Sequence, residues 1–236
     1  MPDTTYFPAS DHELRAYLAT PRGEGPWPGV VVVMDALGLS DDIRLQADRL
    51  AAAGYLAFAP DLYSGRGIRC VVATLQASRS GKGEAYADIE AARHWLAERA
   101  DCTGAIGIIG FCMGGGFAML SAPRYAFAAA SVNYGEVPKE VSRLEGCCPV
   151  VASFGKRDPE LRGRAERLER ALTELGVEHD VKEYPGVGHA FMNRINAGPA
   201  LNPLMRFVRM NYDHPSAEDS WRRILTFFDA HLRDAA

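Results

Sequence analysis

The hexapeptide GFCMGG, residues 110–115, places a cysteine where it could act as a nucleophile. Cys112 has a glycine two positions before it and another two positions after it, and glycine lets the backbone turn sharply at such points. An apolar run at residues 105–109 precedes the motif, and a helix-forming run at residues 116–120 follows it. This order of strand, turn and helix is typical of a nucleophile elbow, although a small residue packed in a tight turn is the alternative interpretation.

Two downstream residues could complete a catalytic triad with Cys112. Asp158 stands just beyond the strand-like run VVASFG, and His189 stands just beyond the next strand-like run. An imidazole can take the thiol proton and later deliver it to a leaving group, while a carboxylate fixes the imidazole tautomer and stabilises the imidazolium. Taken alone, Asp158 could belong to a charged turn and His189 could be a packing histidine. The order of nucleophile, acid and histidine after successive strands favours catalysis.

The elements that must position these residues alternate along the chain. Strand-like runs occur at residues 14–19, 29–34, 55–59, 105–109, 128–132, 150–154 and 177–184, and helical segments at residues 43–53, 84–99, 161–175 and 217–233. Ser40 and Asp41 are candidate caps for the first of these helices. Strands that alternate with helices predict an α/β fold, a doubly wound and mostly parallel sheet with helices on both faces. We expect one domain over residues 1–236, a common size for such folds.

The composition narrows the class of partner. The formal net charge is −4, so the protein lacks the cationic field that broad nucleic-acid or anionic-membrane binding requires. The five cysteines are odd in number and show no paired spacing typical of zinc ligands, which favours a reduced, cytoplasmic protein. No apolar run approaches the length of roughly 20 residues that spans a bilayer, and no export signal is recognisable. We therefore expect a small-molecule partner.

Five segments of this sequence resemble the dienelactone hydrolases, which are cysteine-dependent α/β-hydrolases that open enol-lactone rings. The segments are PGVVVVMDALGLSDDIR, LAAAGYLAFAPDLY, IGIIGFCMGGG, FGKRDP and YPGVGHAF, and they stand in the family's order along most of the chain. The resemblance implies an α/β-hydrolase fold and the roles of nucleophile, acid and base for Cys112, Asp158 and His189. It implies no cofactor and no metal.

The resemblance also points to residues around the triad. Asp35 stands where the family typically carries a glutamate that interacts with the thiol, so it is a candidate modulator of Cys112, although a shorter side chain could instead cap a turn. The backbone N–H groups of Ala36 and Met113 would form the oxyanion hole. Family enzymes that act on carboxylated lactones place an arginine four residues after the histidine, where this chain has an asparagine. Arg194 and Arg79 are the candidates to hold a substrate carboxylate instead.

Two stretches, residues 63–82 and 193–215, read as long irregular loops that could serve either as lids or as ordinary surface insertions. The leading hypothesis is hydrolysis of a lactone or small ester through a thioester acyl-enzyme. A general carboxylesterase or thioesterase of the same fold is one alternative. A non-catalytic ligand-binding or thiol-sensing protein is the other, because a fold does not by itself establish an activity.

Overall fold

The computed structural model describes residues 3–9, 12–64, 67–194 and 211–233. The strands are β1 Asp3–Ala9, β2 His12–Ala19, β3 Trp27–Val33, β4 Leu56–Pro60, β5 Cys102–Phe111, β6 Ala129–Asn133, β7 Val150–Gly155 and β8 His179–Tyr184. They form one sheet in the order β1-β2-β4-β3-β5-β6-β7-β8. The pairings of β1 with β2 and of β2 with β4 are antiparallel, and all the other pairings are parallel. The prediction of a mostly parallel α/β sheet is confirmed.

Burial on both faces explains the continuously apolar strands at the centre of the sheet. Residues 30–33 of β3 are all fully buried, as are the apolar residues at the centre of β5. Such strands need no alternation of polar and apolar residues, because helices cover both faces of a parallel sheet. The edge strand β1 was not predicted. There Phe7 and Ala9 point into the core while Tyr6 is exposed, a half-buried pattern too short to stand out in the sequence.

Six α-helices cover the sheet within the described ranges: α1 Asp41–Ala52, α2 Gly67–Ser80, α3 Glu84–Ala97, α4 Met113–Ser121, α5 Arg164–Glu174 and α6 His214–Phe228. A π-helical turn, Asp229–Arg233, extends the last of them. Of the two candidate caps for α1, Ser40 is the one that caps it, because its hydroxyl accepts a hydrogen bond from the N–H of Ile43 at 3.3 Å. None of the helices in these ranges is long and apolar enough to cross a bilayer.

The prediction of an irregular loop over residues 63–82 was wrong for most of its length. Helix α2 occupies Gly67–Ser80, and the buried side chains among its described residues, Thr74, Ala77 and Ser78, have the spacing of one helix face. β-Branched residues and the flanking glycines and serines concealed this pattern, because they are poor helix formers. Of the second stretch, residues 195–210 lie outside the described residues, and α6 begins at its end, where Asp213 accepts a hydrogen bond from the N–H of Ser216 at 3.1 Å.

The parallel sheet brings the candidate catalytic residues to one edge. Asp35 follows β3, Cys112 follows β5, Asp158 follows β7 and His189 follows β8, so all four lie beyond the carboxyl ends of parallel strands. Ligand sites of open α/β sheets form at this edge. The topology therefore gathers residues that are up to 154 positions apart in the sequence (189 − 35).

The loops that carry Asp158 and His189 pack so closely that Gly155 has no room for a side chain. A β-carbon at position 155 would lie 2.3 Å from the carbonyl oxygen of Gly188. We predict that Gly155→Ala lowers the free energy of unfolding by about 1–3 kcal/mol, because the backbone must shift to relieve the overlap. Urea denaturation of the purified variant measures the loss.

Gly186 provides the matched control, because a β-carbon there would meet nothing within 4 Å and its φ is not positive. Gly186→Ala should change the free energy of unfolding by less than about 0.5 kcal/mol. Equal stabilities of the two variants would show that the loops do not pack as described.

Candidate active site

Cys112 occupies a strained turn between β5 and α4. Its φ of 56° and ψ of −115° are unusual for a residue with a β-carbon, and it caps the N-terminus of α4 without a side-chain hydrogen bond. Its N–H donates to the carbonyl oxygen of Asn133 at 3.0 Å, which ties the turn to the end of β6. The thiol is half-buried. The strand, turn and helix expected around Cys112 are therefore present.

Close packing beneath the turn explains one glycine of the motif. A β-carbon at Gly114 would lie 2.2 Å from the carbonyl oxygen of Val33, so the first turn of α4 approaches the end of β3 at backbone distance. Gly114 allows the approach because it has no side chain. The glycine-rich sequence thus brings the N-terminus of α4, with its orphan N–H groups, beside the end of β3.

Both oxygens of the Asp158 carboxylate take part in hydrogen bonds. Its Oδ1 accepts hydrogen bonds from the N–H groups of Glu160, at 2.9 Å, and Leu161, at 3.3 Å, while its Oδ2 lies 2.5 Å from Nδ1 of His189. Both Asp158 and His189 are buried. A carboxylate that accepts from Nδ1–H leaves Nε2 of the imidazole as the atom available for proton transfer.

Backbone hydrogen bonds hold the two loops against each other. The N–H of Lys156 donates to the carbonyl oxygen of Tyr184 at 2.9 Å, and the N–H of Arg157 donates to that of Val187 at 2.9 Å. Ala190, next to the histidine, has a φ of 57°, a second non-glycine residue in the left-handed region. The position of His189 relative to Asp158 is therefore set by the backbone as well as by the side chains.

The electrostatic state of His189 depends on both of its partners. Burial by itself lowers the pKa of His189, but the hydrogen bonds to Asp158 and Cys112 and the negative charges of those groups outweigh it and raise the pKa to about 10. The imidazolium form is thus favoured at neutral pH and is lost as the pH rises through about 10. A protonated imidazole beside a thiol is the arrangement of cysteine hydrolases.

Asp35 lies at the same edge of the sheet and caps a turn. Its Oδ1 accepts from the N–H of Leu37 at 2.8 Å, and its carbonyl oxygen accepts from the N–H of Gly38 at 3.1 Å. Burial raises the pKa of Asp35 to about 6, and the negative charge of Asp42 also raises it. The hydrogen bond from Leu37 and the charge of His189 lower this pKa. The turn-capping role is thus present, and the influence of His189 shows that Asp35 also lies within electrostatic range of the imidazole.

The proposed oxyanion-hole donors stand at the ends of two neighbouring strands. Met113 is the first residue of α4, and Ala36 follows β3 by three positions. In the described part of the chain, neither backbone N–H donates a hydrogen bond to a protein acceptor. Both groups are therefore free to bind an oxyanion.

Asn193, at the position of the family arginine, is part of a buried hydrogen-bond chain. Its Nδ2 donates to Oδ2 of Asp42 at 2.5 Å, and its Oδ1 accepts from the hydroxyl of Tyr134. The Tyr134 ring, in turn, packs edge-on against the His189 imidazole with 5.4 Å between centroids. Burial, then the charges of Asp42, Asp35 and Cys112, raises the pKa of Tyr134 well above its usual value, so its hydroxyl stays a donor.

Sequence reasoning missed Tyr134 and Asp42. Tyr134 directly follows β6, and the rule that polar residues after parallel strands share one edge could have identified it. Asp42 was hidden in the first turn of α1, where an acidic residue usually serves the helix dipole. Here its carboxylate also accepts from Gln46 Nε2, at 3.3 Å, and from the N–H of Arg194, at 2.8 Å.

A cavity of about 420 Å³ opens beside Asp35. Its described lining residues are Asp35, Leu37, Leu39, Ser40, Asp41, Asp42, Arg44 and Arg194. The guanidinium of Arg194 is exposed and stacks over the ring of Tyr212 at 4.7 Å. Arg79 lies in α2, but its side chain is outside the described residues. No triad residue is among the described lining of the cavity beside Asp35. Two larger hollows, of about 600 and 650 Å³, lack Asp35 as well and are not candidates for the active site.

The described ranges contain no candidate set of metal ligands. No group of three histidine, cysteine, aspartate or glutamate side chains there could hold a metal ion. The chemical groups gathered at this edge are a thiol, an imidazole, two carboxylates and two backbone donors. They suit acyl transfer through a covalent thioester.

Comparisons with known proteins agree with the fold described above. The pattern of the dienelactone hydrolase family matches residues 14–232. The chain is 31% identical to a Yersinia pestis protein named "Putative carboxymethylenebutenolidase", with 96% of this chain and 87% of that protein covered. A protein of the same name from Escherichia coli K12 is 29% identical, with 95% and 85% covered.

Solved structures show the same relation. A crystal structure titled "Putative Dienelactone Hydrolase", from Klebsiella pneumoniae, is 27% identical and superposes with a TM-score of 0.77, covering 97% of this chain and 98% of that one. The sheet described above is thus similar to an α/β-hydrolase sheet over nearly its full extent. Because the family pattern spans almost the whole sequence and the fold agrees with it, the chain belongs to the dienelactone hydrolase family.

Proposed function

We propose that this protein hydrolyses a lactone or a small ester through a Cys112–His189–Asp158 triad and a thioester acyl-enzyme. The observation that supports the proposal most directly is the position of the buried His189 imidazole between two partners. It is hydrogen-bonded to Asp158, and Cys112, in the strained turn, also raises its pKa. A structural histidine needs only one such partner. A histidine between a carboxylate and an elbow cysteine has the arrangement of a general base.

The reaction follows from these groups. The Cys112 sulfur, which has given its proton to His189, attacks the carbonyl carbon, and the resulting oxyanion accepts hydrogen bonds from the N–H groups of Ala36 and Met113. Collapse breaks the bond between the carbonyl carbon and the leaving oxygen, which takes a proton from His189. Water then attacks the thioester while His189 takes its proton, and the thiolate leaves. Asp158 stabilises the imidazolium before acylation and again once His189 has taken the proton of the attacking water.

Asp35 is proposed to modulate the thiol through charge. Its carboxyl group has a pKa of about 6, so it carries a negative charge above that pH and little charge below it. A negative charge near Cys112 disfavours the thiolate, while the imidazolium of His189 and the N-terminus of α4 favour it. The balance of these effects would limit the reactivity of the Cys112 thiol until substrate binds.

The cavity beside Asp35 is proposed to hold part of the substrate. Arg194 lines it and could bind a substrate carboxylate, the feature of the carboxylated lactones for which the relatives are named. Asn193 is the weaker candidate, because its amide is neutral, buried and already bonded to Asp42 and Tyr134. A general carboxylesterase or thioesterase remains the alternative, and it would show no preference for a carboxylate. The odd number and unpaired spacing of the cysteines support a cytoplasmic location for the proposed enzyme.

We predict that Cys112→Ala lowers kcat for hydrolysis of a nitrophenyl ester by about a thousandfold or more, because the nucleophile is lost. Steady-state kinetics and thermal unfolding measure the two effects separately. Cys102→Ala, at another half-buried free cysteine, is the matched control and should retain full activity. A folded Cys112→Ala protein with unchanged turnover would rule out Cys112 as the nucleophile, whereas a wild-type protein without turnover would favour a binding or sensing role.

Asp35→Asn should make Cys112 react faster with iodoacetamide between about pH 6 and pH 8, because the variant lacks a charge that opposes the thiolate. Below about pH 5 the wild-type carboxyl is already neutral, so the two rates should converge. Ester turnover should fall. Rates measured against pH test the modulating role, and superimposable profiles in a folded variant would leave Asp35 only its turn-capping role.

Arg194→Gln should raise KM for a carboxylated lactone about tenfold and leave KM for an uncharged ester unchanged, because only the first substrate offers a carboxylate to the guanidinium. The backbone bond from residue 194 to Asp42 is retained in this variant. Arg170→Gln, at an exposed position on α5, controls for loss of a surface charge. Identical KM values for wild type and Arg194→Gln with both substrates would remove Arg194 from the binding site.

A further inference from the structure

Tyr63 lies in the turn after β4, and its hydroxyl contacts both residues of the proposed oxyanion hole. The hydroxyl donates to the carbonyl oxygen of Ala36 at 3.2 Å and lies 3.7 Å from Sδ of Met113. Its ring covers the turn after β3 closely, since a β-carbon at Gly38 would lie 3.1 Å from ring atom Cδ2. One side chain thus joins the end of β4 to the two neighbouring elements that carry the N–H donors.

The turn that holds Tyr63 is itself well anchored. The N–H of Tyr63 donates to Oδ1 of the buried Asp61 at 3.1 Å, and the hydroxyl of Ser64 donates to the Asp61 carbonyl oxygen at 2.9 Å. Arg15, on β2, forms an ion pair with Oδ2 of Asp61 at 2.5 Å. Tyr63 therefore extends from a turn fixed to the antiparallel part of the sheet, independently of the triad loops.

The hydrogen bond to Ala36 completes the fixation of that residue. In the peptide group that carries the N–H of Ala36, the carbonyl oxygen of Asp35 accepts a hydrogen bond from the N–H of Gly38. In the next peptide group, the N–H of Leu37 donates to Oδ1 of Asp35, and the carbonyl oxygen of Ala36 accepts from the Tyr63 hydroxyl. Hydrogen bonds to both flanking peptide groups restrict the rotation of Ala36 and hence the direction of its N–H. An oxyanion hole stabilises charge only when its donors point at the position that the oxyanion will occupy.

The geometry points to Tyr63 as a positioning residue of the oxyanion hole, holding the N–H of Ala36 in line with that of Met113. This inference rests on the function proposed above, because it assumes that these two N–H groups bind the oxyanion. The hydroxyl acts on the backbone and not on the substrate. Its loss should therefore affect the steps that build an oxyanion and spare those that do not.

Tyr63→Phe tests the inference with two reactions of the same thiol. Hydrolysis of a nitrophenyl ester builds an oxyanion, whereas alkylation by iodoacetamide occurs at a saturated carbon and builds none. We expect kcat to fall about tenfold with KM within about twofold of wild type, and the alkylation rate to stay within about twofold. Tyr17→Phe is the matched control, since it removes one hydroxyl that is bonded to Asp48 at 2.6 Å.

Other outcomes overturn the inference. A rise in KM with kcat unchanged would make Tyr63 a substrate-binding residue, and equal losses in hydrolysis and alkylation would make it a structural residue of the whole site. Wild-type kinetics for Tyr63→Phe, with Cys112→Ala inactive, would refute the positioning role and leave the proposed function standing. If Cys112→Ala were itself fully active, the proposed function would fail first, whatever Tyr63→Phe showed.

Discussion

The buried hydrogen bond between Asp158 and His189 is the interaction on which the candidate site depends. Taking a carboxylate out of water is costly unless its lone pairs are satisfied, and here two backbone N–H groups and the imidazole satisfy them. The same bond fixes the imidazole orientation and, with Cys112, raises its pKa to about 10. One contact thus sets the tautomer, the charge and the direction of the proton-transfer atom.

Three strained residues mark the carboxyl edge of the sheet. In the described ranges, Cys112, Tyr134 and Ala190 are the non-glycine residues with positive φ, and they follow β5, β6 and β8 respectively. Such conformations cost about 1–3 kcal/mol each, and they persist only where the surrounding structure enforces them. Here the enforcement is visible in backbone bonds, such as those from Cys112 to Asn133 and from Tyr134 to Ser153. The rest of the sheet therefore supports the conformation of the site.

A buried hydrogen-bond chain lies beside the imidazole of His189. The buried amide of Asn193 links Asp42, on α1, to Tyr134, whose ring lies against His189. An arginine at this position could extend to a substrate, but an asparagine with both amide ends bonded stays in the interior. Arg194, which lines the cavity beside Asp35, is the described cation nearest to Asn193 in sequence.

The sequence by itself determined the parallel sheet, the strand-turn-helix around Cys112 and the placement of Asp158 and His189 after successive strands. These follow from local patterns: continuous apolar runs, glycine spacing and the convergence of carboxyl ends. Strand β1 was not predicted because its half-buried pattern is short. Helix α2 was not predicted because it contains β-branched residues and is flanked by glycines and serines, which are poor helix formers. Only the tertiary structure decided that Asp35 caps a turn, that Asn193 bonds to Asp42 and Tyr134, and that Tyr63 reaches Ala36 and Met113. Each of these contacts joins residues whose spacing carries no periodic signal, so it exists only once the sheet has brought separate loops together.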